Sequence, residues 1–141
     1  MPILEKNAPR AIDSPVRVAG AADAGPLSQT LARAFFDDPV MLHFLPEEKG
    51  RHEKLARVFR LLFKLGRPYG ACYVTDDYEA ATLWRPPDSW HVPFWQYITN
   101  GPELLGIFGG GALTVMNTMD RIEKLHPKKP HWYLQTIGTD P

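Results

Sequence analysis

The segment from Lys124 to Pro141 (KLHPKKPHWYLQTIGTDP) restricts the fold more than any other part of the chain. Pro127 and Pro130 each lack an N–H and clash with a preceding helical turn, so a helix arriving from upstream has to end there. Past the Pro-Lys-Lys-Pro turn, Trp132, Tyr133, Leu134 and Ile137 give a strand over His131 to Thr139, closed by Gly138, Asp140 and Pro141. So apolar a strand is expected at the centre of a sheet, not at its edge.

Upstream, residues 1 to 14 mix charge, proline and small residues without a period and are expected to form a mobile tail. Val16 and Val18 alternate with Arg17 in a short strand over Pro15 to Ala19. Asp23 offers an N-cap to a helix whose apolar face is Leu27, Leu31, Ala34 and Phe35, ending near Phe36. Val40 to Leu45 reads as a short helical turn. From about Gly50 to Leu65, Leu55, Val58, Phe59, Leu62 and Phe63 make a wide apolar face. The opposed basic residues Arg51, Lys54, Arg57, Arg60 and Lys64, with Glu47, Glu48 and Glu53 alongside, read as a solvated face. Gly66 is expected as the C′ residue. Ala71 to Thr75 and Glu79 to Trp84 form a hairpin around Asp76-Asp77-Tyr78. The aromatic stretch from Trp90 is expected to be helical to about Ile98 and broken at Gly101-Pro102. Gly109 to Gly111 serve as a flexible joint, and Val115, Met119, Ile122 and Leu125 mark a last helix. The order β-α-α-β-β-α-β implies an α/β (α+β) domain with a mixed, mainly antiparallel sheet flanked by helices.

Composition narrows the function. With 141 residues, 44% apolar and 23% charged, the chain buries a real core. Lys plus Arg balance Asp plus Glu at 16 each, so neither nucleic acid nor an anionic membrane is suggested as a partner. No stretch approaches the ~20 apolar residues of a membrane span, and no secretory leader is visible. The single cysteine, Cys72, excludes an internal disulfide and fits a cytoplasmic location. Five histidines lack ligand spacing such as H-E-x-x-H, so no metal is expected. No serine sits in a nucleophile elbow, and the three consecutive glycines lack a P-loop's Lys-Ser/Thr.

Three segments carry a resemblance: FFDDPVMLHFLPEE, VTDDYEAATLWRPP and, most specifically, HPKKPHWYLQTIGTDP. Together they resemble the GCN5-related N-acetyltransferases (GNAT), in the branch containing puromycin N-acetyltransferase, over roughly residues 15 to 141. The resemblance implies the N-terminal part of the acyl-CoA N-acyltransferase fold, truncated after the fourth strand. It implies acetyl transfer from acetyl-CoA to a primary amine of a small molecule, direct within a ternary complex. It assigns Ile137, Gly138 and Thr139 to the cofactor through their main chain. The acceptor pocket falls to Phe35, Phe36 and Asp37, with Asp38, and to Trp84, Trp95 and Tyr97, with Trp90; aromatic walls with a carboxylate suit an amphipathic cation. In the family a Gln/Arg-x-x-Gly-x-Gly/Ala loop follows the position of Pro141 and binds the pyrophosphate, so the chain as written is expected to be inactive alone.

Such transfer needs a neutral amine, hence a base, and a donor where charge develops on the thioester oxygen. Gln135 or Tyr133 can orient a relaying water, but the sequence names no catalytic residue. Two other readings stand beside the enzyme. One is a binding module using the aromatic 84–97 segment and the terminal strand for a ligand or protein. The other is a homodimer or other strand pairing through the terminal strand.

Overall fold

A computed structural model of the chain describes residues 14–141, so the tail read over residues 1 to 14 lies, Ser14 apart, outside the described residues. The elements run β1 (Val16–Val18), α1 (Ala24–Ala34), α2 (Pro39–Phe44), α3 (Arg51–Gly66), β2 (Cys72–Thr75), β3 (Ala80–Arg85), α4 (Phe94–Phe108), α5 (Ala112–Glu123) and β4 (Tyr133–Thr139). The four strands form one antiparallel sheet in the order β1-β2-β3-β4. Alternation along each strand gives the sheet two faces. Val74, Ala81 and Leu83 face α1 and α3, and with Leu27, Leu31, Leu55, Phe59 and Phe63 they make the core. On the other face Val16, Val18 and Ile137 are 67%, 54% and 58% exposed, uncovered among the described residues.

The terminal strand is therefore an edge strand, with β3 on one side and no strand on the other among the described residues. Its apolar content misleads because it is split between faces. Thr136 is buried against the helices, while Ile137 and the preceding Trp132 stand in solvent. The register also slips: Leu83 pairs with Thr136 but Trp84 with Leu134, leaving Gln135 as a bulge with no residue opposite it.

Several local expectations are corrected. Asp23 makes no cap hydrogen bond to α1, because a 3₁₀ turn over Ala21–Asp23 precedes the helix and turns the carboxylate toward the sheet. Gly66 stays right-handed inside α3; the chain leaves through a further 3₁₀ turn to Gly70, whose φ of 67° is the left-handed stop. Pro102 does not break α4, which runs unbroken to Phe108. The carbonyl that Pro102 cannot bond is that of Ile98, a residue that is 63% exposed. Arg51 leaves the solvated face: it is buried, donates to the Leu45 and Pro46 carbonyls at 2.8 Å each, and lies 5.0 Å from the Phe36 ring centroid. The three glycines before α5 form a 3₁₀ turn, and Leu125 lies past the end of α5, exposed.

Asp23 instead anchors the first strand. Its carboxylate accepts from Arg17 through two bonds of 2.8 Å, from the Tyr78 hydroxyl at 2.6 Å and from the Gly20 N–H at 2.7 Å. The Arg17 and Tyr78 donors hold its carboxyl well below the usual carboxylate range. A lowered folded-state value contributes stability above the unfolded value of about 3.9 and loses it as pH falls. Asp23→Asn is expected to cost about 1–3 kcal/mol at neutral pH. Urea midpoints of variant and parent should converge as acid protonates Asp23; a gap that stays constant down to acid pH contradicts this account.

Candidate functional site

Two concavities border β4, one along the start of the strand and one along its end. The first is a cavity of about 180 Å³ among α2, α3, α4, α5 and the start of β4. The stripes of α3 and α5 supply apolar walls such as Leu61, Leu62, Met116 and Met119, and one end is polar, with Glu123, His126, Tyr133 and Gln135. The second is an open groove between the α1–α2 junction and the end of β4. It is lined by Arg33, Ala34, Phe35, Asp37 and Asp38 on one side and Ile137, Gly138 and Thr139 on the other.

The groove is built by close packing and one fork of charge. A Cβ placed on Gly138 would come within 2.9 Å of Leu31 Cδ2, 3.0 Å of Ala34 Cβ and 3.2 Å of Phe35 Cε2. The absent side chain of Gly138 thus faces α1, and a ligand in the groove would meet its main chain. Arg33 donates to both carboxylate oxygens of Asp140, at 2.7 and 2.9 Å, tying the end of β4 to α1 and lowering the Asp140 carboxyl. Asp38 caps α2 by accepting from the Val40 and Met41 N–H groups at 3.0 Å each, while Asp37 is left exposed.

At the polar end of the cavity, Arg85 is buried at 3% exposure. It donates to the Leu65 carbonyl at 3.2 Å and to Gln135 Oε1 at 3.4 Å, and its Nη2 has no partner. A guanidinium only donates, so Gln135 accepts through its carbonyl oxygen, and its amide NH₂ remains a donor at a residue that lines the cavity. Burial lowers the Arg85 value and raises the Cys72 thiol beside it. Burial, and then Glu123, push the Tyr97 phenol up. Glu123 accepts from the Val92 N–H at 3.4 Å and lies 3.1 Å from His91 Nδ1, so it straps the loop before α4 across the cavity. Trp90 of that loop stacks on His126, centroids 4.2 Å apart and planes 6° apart.

The structure thus gathers Ile137, Gly138, Thr139, Phe35 and Asp37 at the groove and places Tyr97 in the cavity. Phe36 packs on Arg51, Trp84 lies half-buried on the sheet and lines neither concavity, and Trp95 is 61% exposed on α4. Sequence reasoning missed Glu123, His126 and Arg33. The one available signal was the pair of histidines flanking the Pro-Lys-Lys-Pro turn, which folds them onto each other. Among the described residues no group of three or more His, Cys, Asp or Glu is placed to hold a metal ion, and no helix is long and apolar enough to cross a membrane.

No family model matches the sequence. The chain is similar to a crystal structure described as histone acetyltransferase HPA2 and related acetyltransferase, from Corynebacterium glutamicum, with a TM-score of 0.62 and 30% identity. The likeness covers 90% of this chain and 61% of that one, so the chain spans about three fifths of that protein's length. The four-stranded antiparallel sheet with flanking helices is the α+β fold of a GNAT acetyltransferase over the part spanned.

Proposed function

We propose that the chain carries the acceptor side and the fourth-strand cofactor edge of an N-acetyltransferase in the puromycin N-acetyltransferase-like branch. That enzyme passes the acetyl group of acetyl-CoA directly to a primary amine of a small molecule. The observation that carries this reading is that cavity and groove both border β4, at successive stretches of the one strand. Tyr133 and Gln135 line one and Ile137 to Thr139 line the other, two residues or about 7 Å further along the strand. An amine held in the cavity and a pantetheine arm along the unpaired edge of β4 would converge at the bulge. There the Gln135 amide and the unpaired main chain offer donors for the thioester oxygen. The lone buried thiol of Cys72 suits the reducing cytoplasm as the place of action.

A second reading has its own observation. The edge of β4 that is unpaired among the described residues, with the exposed Trp132 and Ile137, suits a strand of a second chain, which would take the place of the pantetheine arm. Calorimetric titration of the 141-residue chain with acetyl-CoA separates the two. Saturable binding in the micromolar range, independent of protein concentration, supports the cofactor edge. Binding that weakens as protein concentration rises favours pairing between chains, and no heat at any concentration rejects transfer by this chain on its own.

A further inference from the structure

We propose that His126 is the base that takes a proton from the acceptor ammonium, presented to the cavity by a relay that runs from the Lys129 carbonyl through His131. This rests on the acetyl-transfer reading above. The relay is fixed by which atoms can donate. His131 Nδ1 lies 2.8 Å from the Lys129 carbonyl, which only accepts, so that nitrogen carries the hydrogen. In neutral His131 the Nε2 is then an acceptor, and His126 Nδ1, 3.0 Å away, must donate to it. Neutral His126 is left with a bare lone pair on Nε2, for which no partner exists among the described residues, and the ring lines the cavity.

The ring is also held in place. Trp90 stacks on one face, and Tyr133 meets it edge-on with centroids 4.4 Å apart. Burial first, and then the neighbouring His131, lower the His126 value below that of free imidazole, which keeps it neutral near pH 7. The groups around it are Glu123 at the end of α5, which works in the opposite direction, His131 on its own loop and Tyr133 on β4. Tyr97 on α4 lines the same cavity, and His91 lies across it, held by Glu123.

The step balances. The ammonium gives one proton to His126 Nε2, and the neutral amine attacks the thioester carbonyl. As the C–N bond forms and the C–S bond breaks, the second amine proton leaves with the thiolate. The products are an amide, a free thiol and an imidazolium that returns its proton to water. In the imidazolium both nitrogens donate, and His131 and the Trp90 face accommodate the charge. The cavity sets the acceptor class: an engineered apolar cavity of ~150 Å³ binds benzene, so 180 Å³ takes one ring or a branched alkyl group bearing the amine.

The test is nitrogen-15 NMR of the histidine rings in the whole chain, with phenethylamine as the probe amine. Expected are a His126 with Nδ1 protonated and Nε2 bare, reverting to the Nε2–H form in His131→Phe, and a shift of Nε2 when phenethylamine is added. The Met116 and Met119 methyls report that the amine has entered. An Nε2–H tautomer in the parent overturns the proposal. So does an amine that moves those methyls without moving Nε2, or one that moves neither. With any amine that is acetylated, His126→Gln should lower kcat/KM by about 10²-fold or more and abolish the acid limb of its pH profile; an unchanged limb overturns the proposal too. The NMR result needs no turnover. Absent acetyl-CoA binding beside a positive NMR result would therefore reject transfer and leave His126 as an amine-facing base.

Discussion

Phe59→Ala should remove about 3–5 kcal/mol of stability, from a total that for domains of this size is about 5–15 kcal/mol. Phe59 is 1% exposed and stands at the α1–α3 contact, where its ring meets that of Phe35 at a centroid distance of 5.1 Å. Truncation to alanine leaves a void that two helices, each bound to the sheet, cannot close. The loss extends to function because Phe35 also lines the groove with Gly138 and Thr139. Without the ring behind it, Phe35 can sink toward the core and change the groove wall. Phe59→Leu, which keeps most of the volume, should cost less than about 1.5 kcal/mol. Urea denaturation of the two variants, with parallel acetyl-CoA titrations, checks both effects. A Phe59→Ala loss under about 1 kcal/mol would mean that the contact is not closely packed.

Much of this core was legible in the chain. The i, i+4 spacing of Leu55, Phe59 and Phe63 predicts one buried face of α3, and all three are essentially inaccessible. The hairpin of β2 and β3 follows from alternation and a turn of Asp76, Asp77 and Tyr78. What failed was whatever depends on more than one element at a time. The solvent side of α3 is polar by period, yet Arg51 is drawn inside by two carbonyls from the loop before it. Pro102 is a breaker by local rule, yet α4 runs through it and gives up only the hydrogen bond to the carbonyl of Ile98. An apolar strand reads as central by composition, whereas among the described residues it pairs on one side only, with β3.

The site was legible in part, and for the same reason. Ile137, Gly138 and Thr139 and the Phe35–Asp38 turn are far apart in sequence, but each belongs to a recognisable segment, and α1 brings them to one groove. The cavity had no such signature. Its walls are the ordinary apolar stripes of α3 and α5, and its polar end is assembled from Glu123 at the end of α5, His126 in the loop that follows and Gln135 on β4. The bulge at Gln135 is invisible in a sequence, because it is a mismatch between two strands and not a property of either.

Gly138→Val should destabilise the chain by about 1–3 kcal/mol and abolish acetyl-CoA binding, although the valine would touch no ligand. The reason lies in the three contacts that a Cβ would meet. Leu31 Cδ2, at 2.9 Å, is the end of a flexible side chain and can turn aside. Ala34 Cβ, at 3.0 Å, is fixed to the backbone of α1 and cannot. Strand and helix must therefore separate, by a few tenths of an ångström for the Cβ alone and by more for the two γ-methyls of valine. The pair Arg33–Asp140, which clamps the next residues to the same helix, would be pulled with them. Gly138→Ala asks for a displacement of only a few tenths of an ångström and should fall between the parent and Gly138→Val in both stability and binding. That graded order separates the packing account from one in which Gly138 is needed only for close approach of the coenzyme. On the second account both variants would weaken binding while leaving the urea midpoint where it was. A midpoint unchanged in Gly138→Val would therefore reject the packing of β4 on α1 as the origin of this glycine.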